Sequence, residues 1–181
     1  TNYKNYCLPA LQQSIFLDPV TTEEVIKIVN EFKINKSPGP DDINPKILKL
    51  VISDIAVTLK HLYNLSFSTG TVPDALKTAK VIPLFKKGDL HELSNYRPIS
   101  LLSIFDKILE KLMHRRLINF LTKHNCLYRY QYGFRKKHST ILALSELMDS
   151  IYNHLDNNDF IAGIYLDLQK AFDTVDHDIL L

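Results

Sequence analysis

Residues 35–45, "NKSPGPDDINP", constrain the fold of this chain more than any other stretch. Pro38, Gly39, Pro40 and Pro45 stand there, and no continuous helix crosses them. Proline lacks the amide hydrogen and crowds the preceding turn. On either side the apolar residues recur at helical spacing. Upstream, Thr21 with Glu24 three residues later makes a capping-box signature, and Val25, Ile28, Val29 and Phe32 share one face. Downstream, Ile47, Leu48, Val51, Ile52, Ile55, Leu59 and Leu62 repeat the pattern until Gly70, with Pro73 just beyond. Two separate helices are predicted.

The period then changes. "AKVIPLFKKGD" reads as a short strand entering a Gly-Asp turn, and "NYRPISLLS" as a second extended piece. Ser103 is placed to cap the next helix, with Asp106 three residues on. Ile104, Phe105, Ile108, Leu109, Leu112 and Leu117 give that helix an apolar side, and Lys107, Lys111, Arg115 and Arg116 a basic one. "LYRYQYGFRKKHST" is a loop rich in aromatics and cations; a helix follows over about 141–155, and "DNND" turns the chain into a last strand, 160–168. Helices and a few short strands in this order predict an α+β fold.

The final stretch, "FIAGIYLDLQKAFDTVDHDILL", poses a chemical question. Ala162, Ile164, Leu166 and Leu168 form one wholly apolar face, while Ile161, Gly163, Tyr165 and Asp167 form the other. A carboxylate at the end of an apolar strand is costly unless it is paired, hydrogen-bonded or bound to a metal. Asp167 suits either a turn cap or a bound cation. Asp173 is placed to cap a last helix, with Asp176 at its third position.

Charge narrows the classes further. Residues 77–137 carry 14 Lys/Arg against 4 Asp/Glu, and residues 138–181 carry 1 against 8. A block this basic suits phosphate, and clustered acids suit a cation; the two blocks can equally neutralise each other. The 181 residues, 45% hydrophobic and 23% charged, suit one globular domain or two small ones. No apolar run is long enough to cross a membrane and no leader shows. Cys7 and Cys126 stand alone, without ligand spacing, so an intracellular protein is expected. The chain opens on Thr1 and stops within a helical pattern, as a piece of a longer protein would.

Four blocks stand in order: "SPGPDDINPKIL", "KVIPLFKKGDLHELSNYRPISLLSIFDKILEKLMHRRL", "QYGFRKKHST" and "IYLDLQKAFDTVDHDILL". Together, over residues 20–181, they resemble the reverse transcriptase of non-long-terminal-repeat, LINE-like retrotransposons of the jockey and CR1 type. The resemblance implies a right-hand polymerase, truncated before its second carboxylate motif. Residues 1–36 would be an N-terminal extension with a linker helix, 37–135 the fingers, and 136–181 the start of the palm. It implies copying of retrotransposon RNA into DNA by nucleotidyl transfer with two Mg²⁺ ions. The partners would be an RNA template, a DNA primer, dNTP and the rest of the same polyprotein: second palm motif, thumb and an endonuclease domain. No membrane is implied; the nucleus and a cytoplasmic ribonucleoprotein are.

The resemblance also assigns residues. Asp167 matches the family's first catalytic, metal-binding aspartate, and the Leu168 carbonyl adds a ligand. Hard Mg²⁺ takes oxygen ligands. Phe172, five residues on, matches the steric gate against a 2′-OH, or is a buried ring at a strand–helix junction. Gln169, Lys170 and Ala171 form the turn between them, whose N–H groups suit triphosphate oxygens. Arg97, beside Pro98, matches the fingers arginine that clamps the triphosphate in a planar fork. One of Lys86 and Lys87 faces the same group, and spacing does not say which. Tyr96, Gln131, Tyr132, Phe134 and Arg135 are placed for template contact, although Gly133 serves a turn and Phe134 equally suits a core. Lys111, Arg115 and Arg116 would follow the nucleic-acid backbone, or be solvated surface.

Two departures from the family pattern stand out: Asp42 where Gly is usual after "PGPD", straining a turn, and Gln169 where Ser is common. Nothing matches the second carboxylate pair, so the isolated chain is expected to be inactive. A binding-class alternative is a truncated or domesticated remnant that grips RNA without catalysis. A third is an unrelated Mg²⁺ phosphohydrolase using the acidic end.

Overall fold

The computed structural model describes residues 13–168, 171, 174–176 and 178. Its elements are α1 (Thr22–Glu31), α2 (Pro45–Thr69), β1 (Ala79–Phe85), β2 (Tyr96–Leu102), α3 (Ile104–Lys123) and α4 (Thr140–Asp156). They fall into two compact units that divide between Cys126 and Leu127. The mixture of helices and one small antiparallel sheet is the α+β class expected.

Local chemistry sets the helix ends. Thr21 Oγ1 accepts the amide of Glu24 at 3.2 Å and starts α1. The return half of that capping box does not form, because the Glu24 carboxylate binds Arg116 instead. Asn44 caps α2 with Pro45 at its first turn, and Gly70, at φ 66, ends it in the left-handed conformation that glycine adopts without strain. Ser103 caps α3 through the Phe105 amide, and Ser139 caps α4 through the Leu142 amide.

The core belongs to the first unit. Val25, Ile28 and Val29 of α1 meet Leu48, Ile52, Ala56, Leu59 and Tyr63 of α2, and Ile104, Ile108, Leu109 and Leu112 of α3. Two polar ties lock it. Asn64 clamps Val20, two residues before α1, accepting its amide at 2.7 Å and donating to its carbonyl at 3.0 Å. The Tyr63 hydroxyl donates to the Phe105 carbonyl at 3.1 Å. Part of the α2 face read from the sequence points elsewhere: Ile47, Val51 and Leu62 are exposed. Helical spacing alone cannot choose between adjacent apolar stripes on a 25-residue helix.

The proline-rich break is a packed turn. A Cβ on Gly39 would stand 2.4 Å from the Leu102 carbonyl oxygen and 2.6 Å from the Ser103 nitrogen. Only glycine lets the turn lie that close to the β2–α3 junction. Asp41 accepts a hydrogen bond from the Ser103 hydroxyl, tying the same two segments. Asp42 has φ 50, the left-handed strain expected where glycine was preferred.

In the second unit no described residue is buried. Residues 160–168, expected as a strand, form none, and all are exposed. A strand exists only with a partner to take its N–H and C=O groups. No other strand lies among the described residues of this unit.

Candidate nucleotide and nucleic-acid site

The hairpin β1–β2 carries the first half of the candidate site. Its antiparallel register pairs Ala79 with Leu102, Pro83 with Pro98 and Phe85 with Tyr96. Two prolines face each other because neither can donate a ladder bond, so their pair must be the non-hydrogen-bonded kind. Their nitrogens then point outward and blunt both edges of the sheet.

Side chains alternate across this register. Lys80, Ile82, Leu84, Arg97, Ile99 and Leu101 share one face. The Lys86 amide donates to the Asn95 carbonyl at 2.8 Å, extending the ladder by one pair. Lys86 therefore continues the face that holds Arg97, and Lys87 does not. Lys80, Lys86, Lys87 and Arg97 are exposed, and no described side-chain hydrogen bond or ion pair engages them.

The connecting loop is braced from within. Gly88 has φ 96, and a Cβ there would meet the Asn95 amide at 2.6 Å. Asn95 donates to the Asp89 carbonyl and the Tyr96 hydroxyl to the Leu90 carbonyl, both at 2.9 Å. The Tyr96 ring packs edge-on against Phe85. Tyr96 thus holds the loop that presents Lys86. Sequence reading missed Asn95, whose partner Gly88 was the available signal.

The basic side of α3 corrects an expectation. Arg116 donates to the carbonyls of Asp18, Pro19 and Leu112 and to both oxygens of Glu24, at 2.6–3.2 Å. A guanidinium has five N–H donors, so none is left for phosphate. Its side chain is only 9% exposed. Arg115 Nη2 donates to both carboxylate oxygens of Glu31, at 3.0 and 3.1 Å. Lys111 lies 3.8 Å from the same carboxylate and over the Phe32 ring. These three cations clamp α3 to α1. Three cations of the basic block are thus engaged by the acids of α1.

The loop after α3 is likewise partly self-engaged. Arg135 donates to the carbonyls of Tyr128 and Gln131, and Gln131 to that of Gly133. Tyr132 packs against His138. Phe134 is 94% exposed at φ 60, which overturns a core role for it in this chain.

At the acidic end, Asp167 and Leu168 are exposed, and Ala171 is half-buried. Lys170, Phe172, Gln169 and Asp173 lie outside the described residues. Asp176 accepts the Asp178 amide at 3.0 Å, a capping-type bond. No three His, Cys, Asp or Glu among the described residues are grouped to hold a metal ion. The exposed Asp167 carboxylate offers oxygens of the kind a hard cation takes, and no other described carboxylate or imidazole is grouped with it to hold one.

Two carboxylates on α3 are perturbed. Burial pushes Asp106 up, against a smaller opposing pull from Lys107. Burial, then the Asp106 charge, pushes Glu110 up.

Comparison with known proteins matches residues 85–181 to the reverse transcriptase (RNA-dependent DNA polymerase) family. The chain is 33% identical, over 94% of its length, to the probable RNA-directed DNA polymerase from transposon BS of Drosophila melanogaster, and covers 19% of that protein. It is 31% identical, over 98% of its length, to the RNA-directed DNA polymerase from mobile element jockey of the same fly, and covers 20% of it. The jockey polymerase of Drosophila funebris is 32% identical over 94% of the chain, which covers 19% of it. The chain thus spans about a fifth of the length of these curated relatives. It belongs to the reverse transcriptase family of RNA-directed DNA polymerases, as represented in non-long-terminal-repeat retrotransposons.

Proposed function

We propose that this chain is the fingers and first palm segment of an RNA-directed DNA polymerase that copies retrotransposon RNA. The observation that carries the reading is the shared hairpin face of Lys86 and Arg97, exposed and without a described side-chain partner, in a member of this family. A planar guanidinium and a point-charge ammonium on one face suit a triphosphate. Its place on the Arg97 face of the hairpin supports Lys86 rather than Lys87 for that work.

The remaining roles follow the family pattern. Asp167, with the Leu168 carbonyl, would supply one part of the ligand set for Mg²⁺, which when bound lowers the pKa of an attacking hydroxyl and stabilises the leaving pyrophosphate. Lys170 and Ala171 would line the triphosphate turn, and Phe172 would exclude a 2′-OH. Phe134, standing free, would stack on a template base, and Arg135 and Gln131 would shape its loop. RNA, primer and dNTP are the partners, and the remaining carboxylates and the thumb would come from further polyprotein sequence.

Placed in the jockey polymerase in exchange for the matching segment, these residues should support primer extension on RNA. Asp167→Asn should abolish extension with the melting temperature unchanged, because the amide keeps the shape and loses the anionic ligand. Phe172→Ala should retain DNA synthesis and admit ribonucleotides. Extension that survives Asp167→Asn would refute the assignment. The isolated 181-residue chain should extend no primer.

A further inference from the structure

A cavity of about 440 Å³ lies between the end of α2 and the outer side of α3. Leu17, Phe67, Leu109 and Met113 give it an apolar wall, and Asp106 and Glu110, one helical turn apart, bring two carboxylates to it. Asp106 is only 8% exposed. Among the described residues no hydrogen bond or ion pair engages its carboxylate; Lys107 acts on it through charge. Yet no sealed side-chain oxygen or nitrogen among the described residues lacks a hydrogen-bond partner. The Asp106 oxygens therefore open into the cavity they line.

We propose that this cavity binds an arginine or lysine side chain carried by a peptide segment with apolar neighbours. A carboxylate that opens into the cavity without a described partner, with a second one a helical turn away, calls for a cation. The described residues offer no grouping for a metal ion, and the wall is apolar, so an organic cation on an aliphatic stem fits both ends. The volume is that of a ligand pocket and exceeds one side chain. Met113 and Leu117, exposed by 39% and 42%, carry the apolar surface out past the rim. A free small cation would leave that rim bare, whereas apolar residues flanking a basic one cover it. The one cation stacked on the wall, Arg116 over Phe67, is already bound by Glu24 and is not available.

The chain has two methionines, Met113 in the cavity and Met148 on α4, so ¹³C-methyl labelling gives a reporter and a control. The probe is acetyl-Leu-Arg-Leu-amide, titrated into the 181-residue chain. The Met113 methyl should shift saturably and Met148 should stay. The same peptide with neutral, isosteric citrulline should bind about tenfold more weakly, and Asp106→Asn should cost a similar factor. Glu110→Gln, at the open rim and safe for folding, should cost about threefold. Equal binding of the citrulline peptide, full affinity in both carboxylate variants, or equal movement of Met148 would overturn the proposal. Hexylguanidinium binding as tightly as the peptide would assign the cavity to a free small cation and overturn the peptide as occupant.

Discussion

The hairpin and α3 follow each other directly and draw their cations from the same basic block, yet they use them in opposite ways. On the hairpin, Lys80, Lys86 and Arg97 stand on one face with no described side-chain partner. On α3, Lys111, Arg115 and Arg116 are engaged by Glu31 and Glu24. The described residues of the hairpin are mostly exposed, and these charges stand in water. A helix packed on a core lies against a neighbour, and that neighbour supplied the acids. A count of cations therefore says little about nucleic-acid contact until their partners are known.

Substitutions sharpen that difference. The largest expected effect is on the clamp. Arg116→Ala takes from Glu24 its hydrogen-bonded partner, leaving only Arg115 at 4.0 Å, and should destabilise the chain by about 3 kcal/mol, read by denaturant unfolding. Ile108→Ala, in the core beneath α3, should cost a similar amount, roughly 3 kcal/mol, while Leu147→Ala on the exposed α4 should cost under about 1 kcal/mol. Comparable losses at both sites would mean that the second unit has a core the structure does not show. At the junction of hairpin and helix, Gly39→Ala should cost about 2 kcal/mol, since its Cβ would enter backbone space at Leu102. A neutral result there would mean that the turn does not press on the junction.

The pH dependence of α3 has a definite sign. Asp106 has its folded pKa raised by burial, so the folded state holds that proton more tightly than the unfolded chain. Stability attributable to Asp106 is then greatest below its ordinary range and falls as pH rises through the raised value. Asp106→Asn should be more stable than wild type at neutral pH, with the gap closing in acid. A gap that widens in acid would contradict the burial of this carboxylate. The smallest effect is at Asp42, where Asp42→Gly should gain roughly 0.5 kcal/mol by removing a left-handed strain that aspartate tolerates moderately well.

Much of the first unit was legible because its signals are local. Thr21, Gly70 and Ser103 mark helix ends by chemistry within three residues, whereas Asn44 with Pro45, read only as part of the break, starts α2. Arg116 was not legible: its acceptors lie more than 90 positions away, at Asp18, Pro19 and Glu24. The inward stripe of α2 was misread because its apolar residues exceed what one neighbour can cover. The strand at 160–168 was read from alternation, which states what a strand would expose but not whether a partner exists. Among the candidate site residues, only the hairpin register puts Lys86, and not Lys87, on the face of Arg97.

Hairpin cations free to serve phosphate and α3 cations tied into the fold should separate in a single titration. Titration of the 181-residue chain with inorganic tripolyphosphate, with melting recorded for every variant, tests both halves together. Lys86→Ala and Arg97→Ala should each weaken binding about tenfold and leave the melting temperature in place. Lys87→Ala should change neither by more than a little. Arg115→Ala should lower the melting temperature and leave affinity intact below it. Binding that survives Lys86→Ala and falls in Arg115→Ala, at unchanged stability, would contradict the account.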